Sequence, residues 1–143
     1  MRINNRAISE LMNSVHRGLS QLPDFQRGWV WDDNRIKALI ASITNNYPVG
    51  AAMFLEYGND NIRFKYRVIE GSPAKEVIPT ELILDGQQRL TSIYASLFND
   101  KPVHTKTDKG EDITTSTPKL ATNSCNSRAS LLPKSVSGTS LTP

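Results

Sequence analysis

Between Leu82 and Phe98 the apolar period changes within two residues. Leu82 to Leu84 make a short apolar run, Asp85-Gly86 breaks it, and Leu90, Ile93, Tyr94, Leu97 and Phe98 return at helical spacing. The stretch predicts a strand, a sharp turn and a helix of about 13 residues. At such a junction the first backbone N–H groups of the helix have no intrahelical partner and point together at one spot, where the macrodipole adds partial positive charge. That spot attracts anions, and Gly86 permits close approach or an unusual φ.

The side chains at the turn suit the same chemistry. Gln87 and Gln88 bring neutral donors, and Arg89 brings a planar fork of donors that matches a phosphate. Asp85 complicates this, because a carboxylate repels a phosphate placed beside it. Either a magnesium ion bridges the two, binding through one carboxylate plus phosphate oxygens and waters, or Asp85 caps the helix at the N–H of Gln87 or Gln88. Spacing leaves both open, and the chain has no complete P-loop to decide between them.

A second dense stretch is LPDFQRGWVWDD, residues 22–33. Phe25, Trp29, Val30 and Trp31 cannot all share one face of a short loop, so some pack into the core beneath the helix that follows. Gln26 and Arg27 lie between them. In one reading Arg27 is stacked or paired with an acid in a loop anchored by its aromatics; in the other, the aromatics fix a loop whose Gln26 and Arg27 face a ligand.

The rest of the front region reads as ordinary elements. Ile8, Leu11, Met12 and Val15 predict a helix over about 6–17 that stops near Gly18. Ile36, Leu39, Ile40 and Ile43 predict a second, capped by Asp32 or Asp33, paired from Asp33 to Lys37, and ending near Asn46. AAMFLEY reads as a largely buried strand, and IRFKYRV, with Ile62, Phe64, Tyr66 and Val68 alternating against Arg63, Lys65 and Arg67, as a half-buried one. A turn at GNDN predicts that these two strands form an antiparallel hairpin. The basic face of the second is either a solvated sheet face or a phosphate contact.

Charge and composition divide the 143 residues unevenly. Residues 1–112 hold 14 basic and 14 acidic side chains, whereas 113–143 hold three basic, no acidic and 13 Ser or Thr. The net charge of +3 therefore belongs to the tail and argues little for nucleic-acid binding. Residues 1–112 are read as one domain, and 113–143 as a disordered Ser/Thr-rich tail. One cysteine, Cys125, excludes a disulfide framework, and no stretch approaches the roughly 18 apolar residues of a membrane span, so a cytoplasmic location is expected.

The two dense stretches together resemble the N-terminal domain of the GmrSD-type restriction endonucleases. That family's P-x-F/Y-Q-R-x-x-x-W segment is met by Pro23, Phe25, Gln26, Arg27 and Trp31, and its D-G-Q-Q-R-x-T/S segment by Asp85, Gly86, Gln87, Gln88, Arg89 and Thr91 with Ser92. The intervening helix and Tyr47-Pro48-Val49-Gly50 also match, and the likeness covers about residues 5–100. It implies a ParB/sulfiredoxin-like α/β fold, a small mixed sheet with flanking helices, incomplete at the C-terminus. It further implies binding and hydrolysis of a nucleoside triphosphate, GTP or another, with Mg²⁺, coupled to cleavage of modified phage DNA.

By that resemblance Asp85 is the metal-linked or water-orienting acid, with Gln87 and Gln88 as catalytic contacts to phosphate or water. Arg89 is the phosphate clamp, and Gly86, Thr91, Gln26 and Arg27 complete the nucleotide pocket. DNA is implied as a partner of the intact protein. No HNH-type nuclease motif is visible, His16 and His104 are isolated, and a truncated chain is therefore expected. A noncatalytic ParB-like DNA-binding or partner-docking module is the alternative.

Overall fold

A computed structural model describes residues 2–58, 63–73, 76–99, 101–107, 109–115 and 136–141. The elements are β1 (Arg2–Arg6), α1 (Ile8–His16), β2 (Ser20–Pro23), α2 (Asp33–Thr44), β3 (Ala52–Glu56), β4 (Tyr66–Arg67) and β5 (Glu81–Asp85). There follow α3 (Gln87–Ile93), a π-helical turn (Tyr94–Phe98), β6 (Val103–Lys106), β7 (Asp112–Thr115) and β8 (Val136–Leu141). The result is a mixed α/β fold, a small sheet with flanking helices, as expected.

The sheet runs in the order β1-β8-β3-β5-β2-β4, and β6 pairs with β7 separately. Its centre is β5, antiparallel to β3 and parallel to β2. β5 reads as an apolar run rather than an alternation because it is covered on both faces: the successive residues Leu82 and Ile83, which point to opposite sides, are both fully buried. Ile8, Leu11, Met12 and Val15 of α1 and Leu39 and Ile43 of α2 join Phe54, Ile83, Leu90, Ile93 and Tyr94 in one core cluster.

The helices follow the local rules. Asp32 caps α2 by accepting from Arg35 N at 2.9 Å, and Lys37 pairs with Asp33 one turn on. α3 and the π turn together form the expected third helix, with Leu90, Ile93 and Tyr94 buried and Leu97 and Phe98 packed against the core. His16 Nδ1 and the Tyr94 hydroxyl lie 2.7 Å apart and tie α1 to that turn.

Two expectations are corrected. The hairpin between AAMFLEY and IRFKYRV does not form: β3 is flanked by β5 and β8, so both of its edges are taken. The shortened β4 instead pairs with β2 at the far side of the sheet, through Leu22 with Arg67 and Pro23 with Tyr66. The expected alternation is also absent: Arg63, Phe64, Lys65 and Tyr66 are all exposed, and Arg67 and Val68 are both half-buried. Within the segment expected to be disordered, β7 reaches Thr115 and β8 spans Val136–Leu141. β8 is laddered on both sides, to β1 and to β3, and backbone pairing of that kind needs no apolar periodicity. Residues 116–135 and 142–143 of that segment lie outside the described residues.

Phe54, paired with Ile83 of β5, is the largest fully buried side chain in the sheet among the described residues. Phe54→Ala is expected to cost about 3–5 kcal/mol in urea unfolding. A loss below about 1 kcal/mol would contradict its place in the core.

Candidate functional site

Where β2 ends, the sheet lacks donors. The β2–β5 ladder runs through Ser20–Glu81 and Gln21–Leu82, and Pro23 then brings no N–H. Gln26 makes up the deficit with its side chain, whose Nε2 donates to Ile83 O at 2.8 Å and Leu84 O at 2.9 Å. Both partners are carbonyls, so the amide nitrogen must be the end that faces β5. The 22–31 loop is thereby fastened to the end of the strand that leads into the turn.

The turn fastens itself back to the loop. Gln87 Nε2 donates to Arg27 O at 2.6 Å, and Gln88 Nε2 donates to Gly28 O at 3.0 Å. Gln88 Oε1 accepts from Val30 N at 2.9 Å, so this amide pairs with the loop as a strand would. One turn further, Ser92 Oγ accepts from the Trp29 indole N–H at 3.0 Å and donates to Gln88 O. The two dense sequence stretches are thus one interlocked unit.

Arg89 performs a third fastening. Its Nη1 donates to Val49 O at 2.7 Å and its Nη2 to Ala51 O at 2.6 Å, straddling Gly50 in the Tyr-Pro-Val-Gly turn. A Cβ at Gly50, which has φ +93°, would overlap Nη1 of Arg89. Gly86 caps α3 with φ +91°, and a Cβ there would come within 3.0 Å of Ala52. The left-handed backbone favours glycine at both positions, and Arg89 and Ala52 leave little room for a side chain there. Arg89 Nη2 also lies 3.9 Å from Asp85 Oδ2.

Between loop and turn lies a cleft of about 470 Å³ whose walls include Gln26, Arg27, Asp85, Gly86, Gln87, Gln88 and Arg89, with Phe25, Trp31 and Leu84. Seven of the eight residues expected at a nucleotide site therefore meet at one opening. Thr91 does not: it is buried in α3, away from the cleft-lining set, and its Oγ1 has no hydrogen-bond partner among the described residues. The donors of Gln87, Gln88 and Arg89 serve backbone carbonyls. Two groups stand apart. Asp85 does not cap the helix and its side chain is 72% exposed, while the exposed Arg27 guanidinium has no acid or carbonyl partner among the described residues.

Other residues at the site were not singled out in the sequence. Arg67 Nη2 donates to both Gln26 O and Arg27 O at 3.1 Å, and Glu70 accepts from Trp29 N at 3.0 Å. Together they brace the loop from the β4 side, which is what one of the basic side chains of IRFKYRV does. The signal available was only the charge alternation, since no local spacing links residue 67 to residue 26. Among the described residues no three His, Cys, Asp or Glu side chains gather to hold a metal, and no helix is long and apolar enough to cross a membrane.

The sequence that builds this site has relatives among known proteins. The model of the GmrSD restriction endonuclease N-terminal domain family matches residues 8–137, further than the 5–100 expected from the two motifs and reaching into the Ser/Thr-rich stretch. An uncharacterised protein of Methanocaldococcus jannaschii is 35% identical over 97 residues, covering 63% of this chain and 16% of that protein.

The straddling contact gives a test of the interlock. Gly50→Ala is expected to cost about 1–3 kcal/mol from backbone strain alone, and more because it expels the Arg89 guanidinium. In an Arg89→Ala background the second component disappears, giving a coupling of about 1 kcal/mol or more in a double-mutant cycle by urea unfolding. Additive costs would show that the two residues do not share a seat.

Proposed function

This chain belongs to the GmrSD restriction endonuclease N-terminal domain family, and from that membership we propose that its cleft binds a nucleoside triphosphate and hydrolyses it with Mg²⁺. The single observation that carries the reading is that Arg27 and Asp85, neither engaged in holding the scaffold together, line one cleft whose walls are locked by Gln26, Gln87, Gln88 and Arg89. A cleft of this size falls within the range of small-molecule and cofactor sites.

Phosphoryl transfer asks the protein for positioning and charge neutralisation more than for covalent chemistry. Arg27 supplies a delocalised cation on the loop wall, suited to two phosphate oxygens at once. Asp85 is the one carboxylate among the cleft-lining residues. A single carboxylate fits Mg²⁺, which takes one or two such ligands with phosphate oxygens and waters, and does not fit an ion caged by protein alone. The metal would neutralise phosphate charge and orient it. Arg89, 3.9 Å from Asp85, steadies that carboxylate while its principal donors hold the Tyr-Pro-Val-Gly turn.

Gln87 and Gln88 then act on the reaction by fixing where Arg27 stands, since their amides hold the carbonyls of Arg27 and Gly28. In the intact protein the hydrolysis step controls cleavage of modified phage DNA by a nuclease region outside this chain. The chain spans 16% of the length of the curated relative it matches, so that coupling is part of the proposal.

Phosphate release from GTP and other triphosphates, with and without Mg²⁺, tests the reading. Activity is expected only with the metal; Arg27→Ala and Asp85→Ala are each expected to lower kcat about a hundredfold or more, in the range seen when a transition-state charge contact is removed. Rates equal to wild type in both variants would remove the catalytic assignment.

A further inference from the structure

The loop between Phe25 and Trp31 carries three aromatic rings, and two of them are committed. Trp29 spends its indole N–H on Ser92, and Trp31 is half-buried against the core. Phe25 is different. The residue is 69% exposed although it lines the cleft, and its ring meets that of Phe64 edge to face, with centroids 5.7 Å apart and planes at 72°. A T-shaped contact covers at most one face of Phe25 and restrains the ring without hiding it. Phe64 is held in turn beside the short β4, where Asp24 N donates to Lys65 O at 2.8 Å.

The cleft lining therefore contains two chemical sets. Asp85, Gly86, Arg27 and the glutamine amides are polar and suit phosphates, while Phe25 adds an exposed aromatic ring. A triphosphate group has no use for an apolar ring, but a nucleobase does: bases stack on aromatic side chains, and every base has a π-face to offer. Exposing a phenyl ring in the unliganded protein leaves apolar area wet, which covering by a base removes.

We propose that Phe25, braced by Phe64, is the base-stacking platform of the nucleotide cleft. The assignment rests on the reading of that cleft as a polyphosphate seat and adds the subsite that separates a nucleotide from bare polyphosphate. Its ligand class is the planar heteroaromatic base, bound by stacking.

Calorimetric titration of the full chain with GTP and with inorganic tripolyphosphate, both with Mg²⁺, separates the two levels. Wild type is expected to bind GTP about tenfold more tightly than tripolyphosphate, the lower end of what one stacked base contributes. Phe25→Ala should remove that advantage, weakening GTP about tenfold and leaving tripolyphosphate unchanged. Phe25→Trp should restore it, and because the ring is exposed neither change threatens the fold. GTP affinity unchanged in Phe25→Ala, an equal loss for both ligands, or no preference for GTP in wild type would overturn the stacking platform while leaving the phosphate seat intact. Failure of wild type to bind either ligand would overturn the polyphosphate reading and the platform with it.

Discussion

Six backbone carbonyls organise the cleft: those of Ile83 and Leu84 take the Gln26 amide, those of Arg27 and Gly28 take Gln87 and Gln88, and those of Val49 and Ala51 take Arg89. Gln26 serves the acceptors of β5 beyond the point where its ladder with β2 stops, and the other three side chains serve acceptors in loops, where an unpaired carbonyl is costly once it is out of water. The donations are reciprocal. The first motif holds the strand that precedes the second, and the second holds the loop made by the first. This explains in physical terms why the two occur together in one chain, and why lysine would be a poor replacement for an arginine that must reach two carbonyls on either side of a glycine.

That interlock separates two roles that a motif reading merges. Glutamine and arginine in a turn look like ligand contacts, because their donors match phosphate oxygens as well as they match carbonyls. Sequence cannot tell which acceptor will be nearer. Here the acceptors are the protein's own, and the groups left facing the opening are Arg27, Asp85 and the Phe25 ring. A rigid frame that leaves the Arg27 guanidinium and the loosely paired, exposed Asp85 carboxylate at the opening suits positioning catalysis, because the frame sets distances before the ligand arrives.

Much of the architecture was legible from local pattern. The stripes of α1 and α2, the Asp32 cap, the apolar runs of β3 and β5 and the strand-turn-helix at Asp85-Gly86 all follow from period and turn chemistry. What was not legible depends on distant partners. Ser20–Pro23 is buried throughout, so it shows no alternation, and its mixed composition does not announce a strand. IRFKYRV alternates well, but the edges of β3 are taken by β5 and by β8, whose residues pair with β3 across 86 positions of sequence. Arg67 braces the loop through contacts forty residues back along the chain, which no spacing rule reaches.

Phosphates are expected to enter between the Arg27 loop and the Asp85-Gly86 turn without dismantling the frame. A crystal structure of the chain with a nonhydrolysable GTP analogue and Mg²⁺ measures this directly. The account predicts phosphate oxygens on Arg27, the metal on Asp85, and the bonds from Gln87, Gln88 and Arg89 to their carbonyls still in place. A nucleotide seated outside this cleft, or phosphates bound by an Arg89 that has let go of Val49 and Ala51, would contradict it.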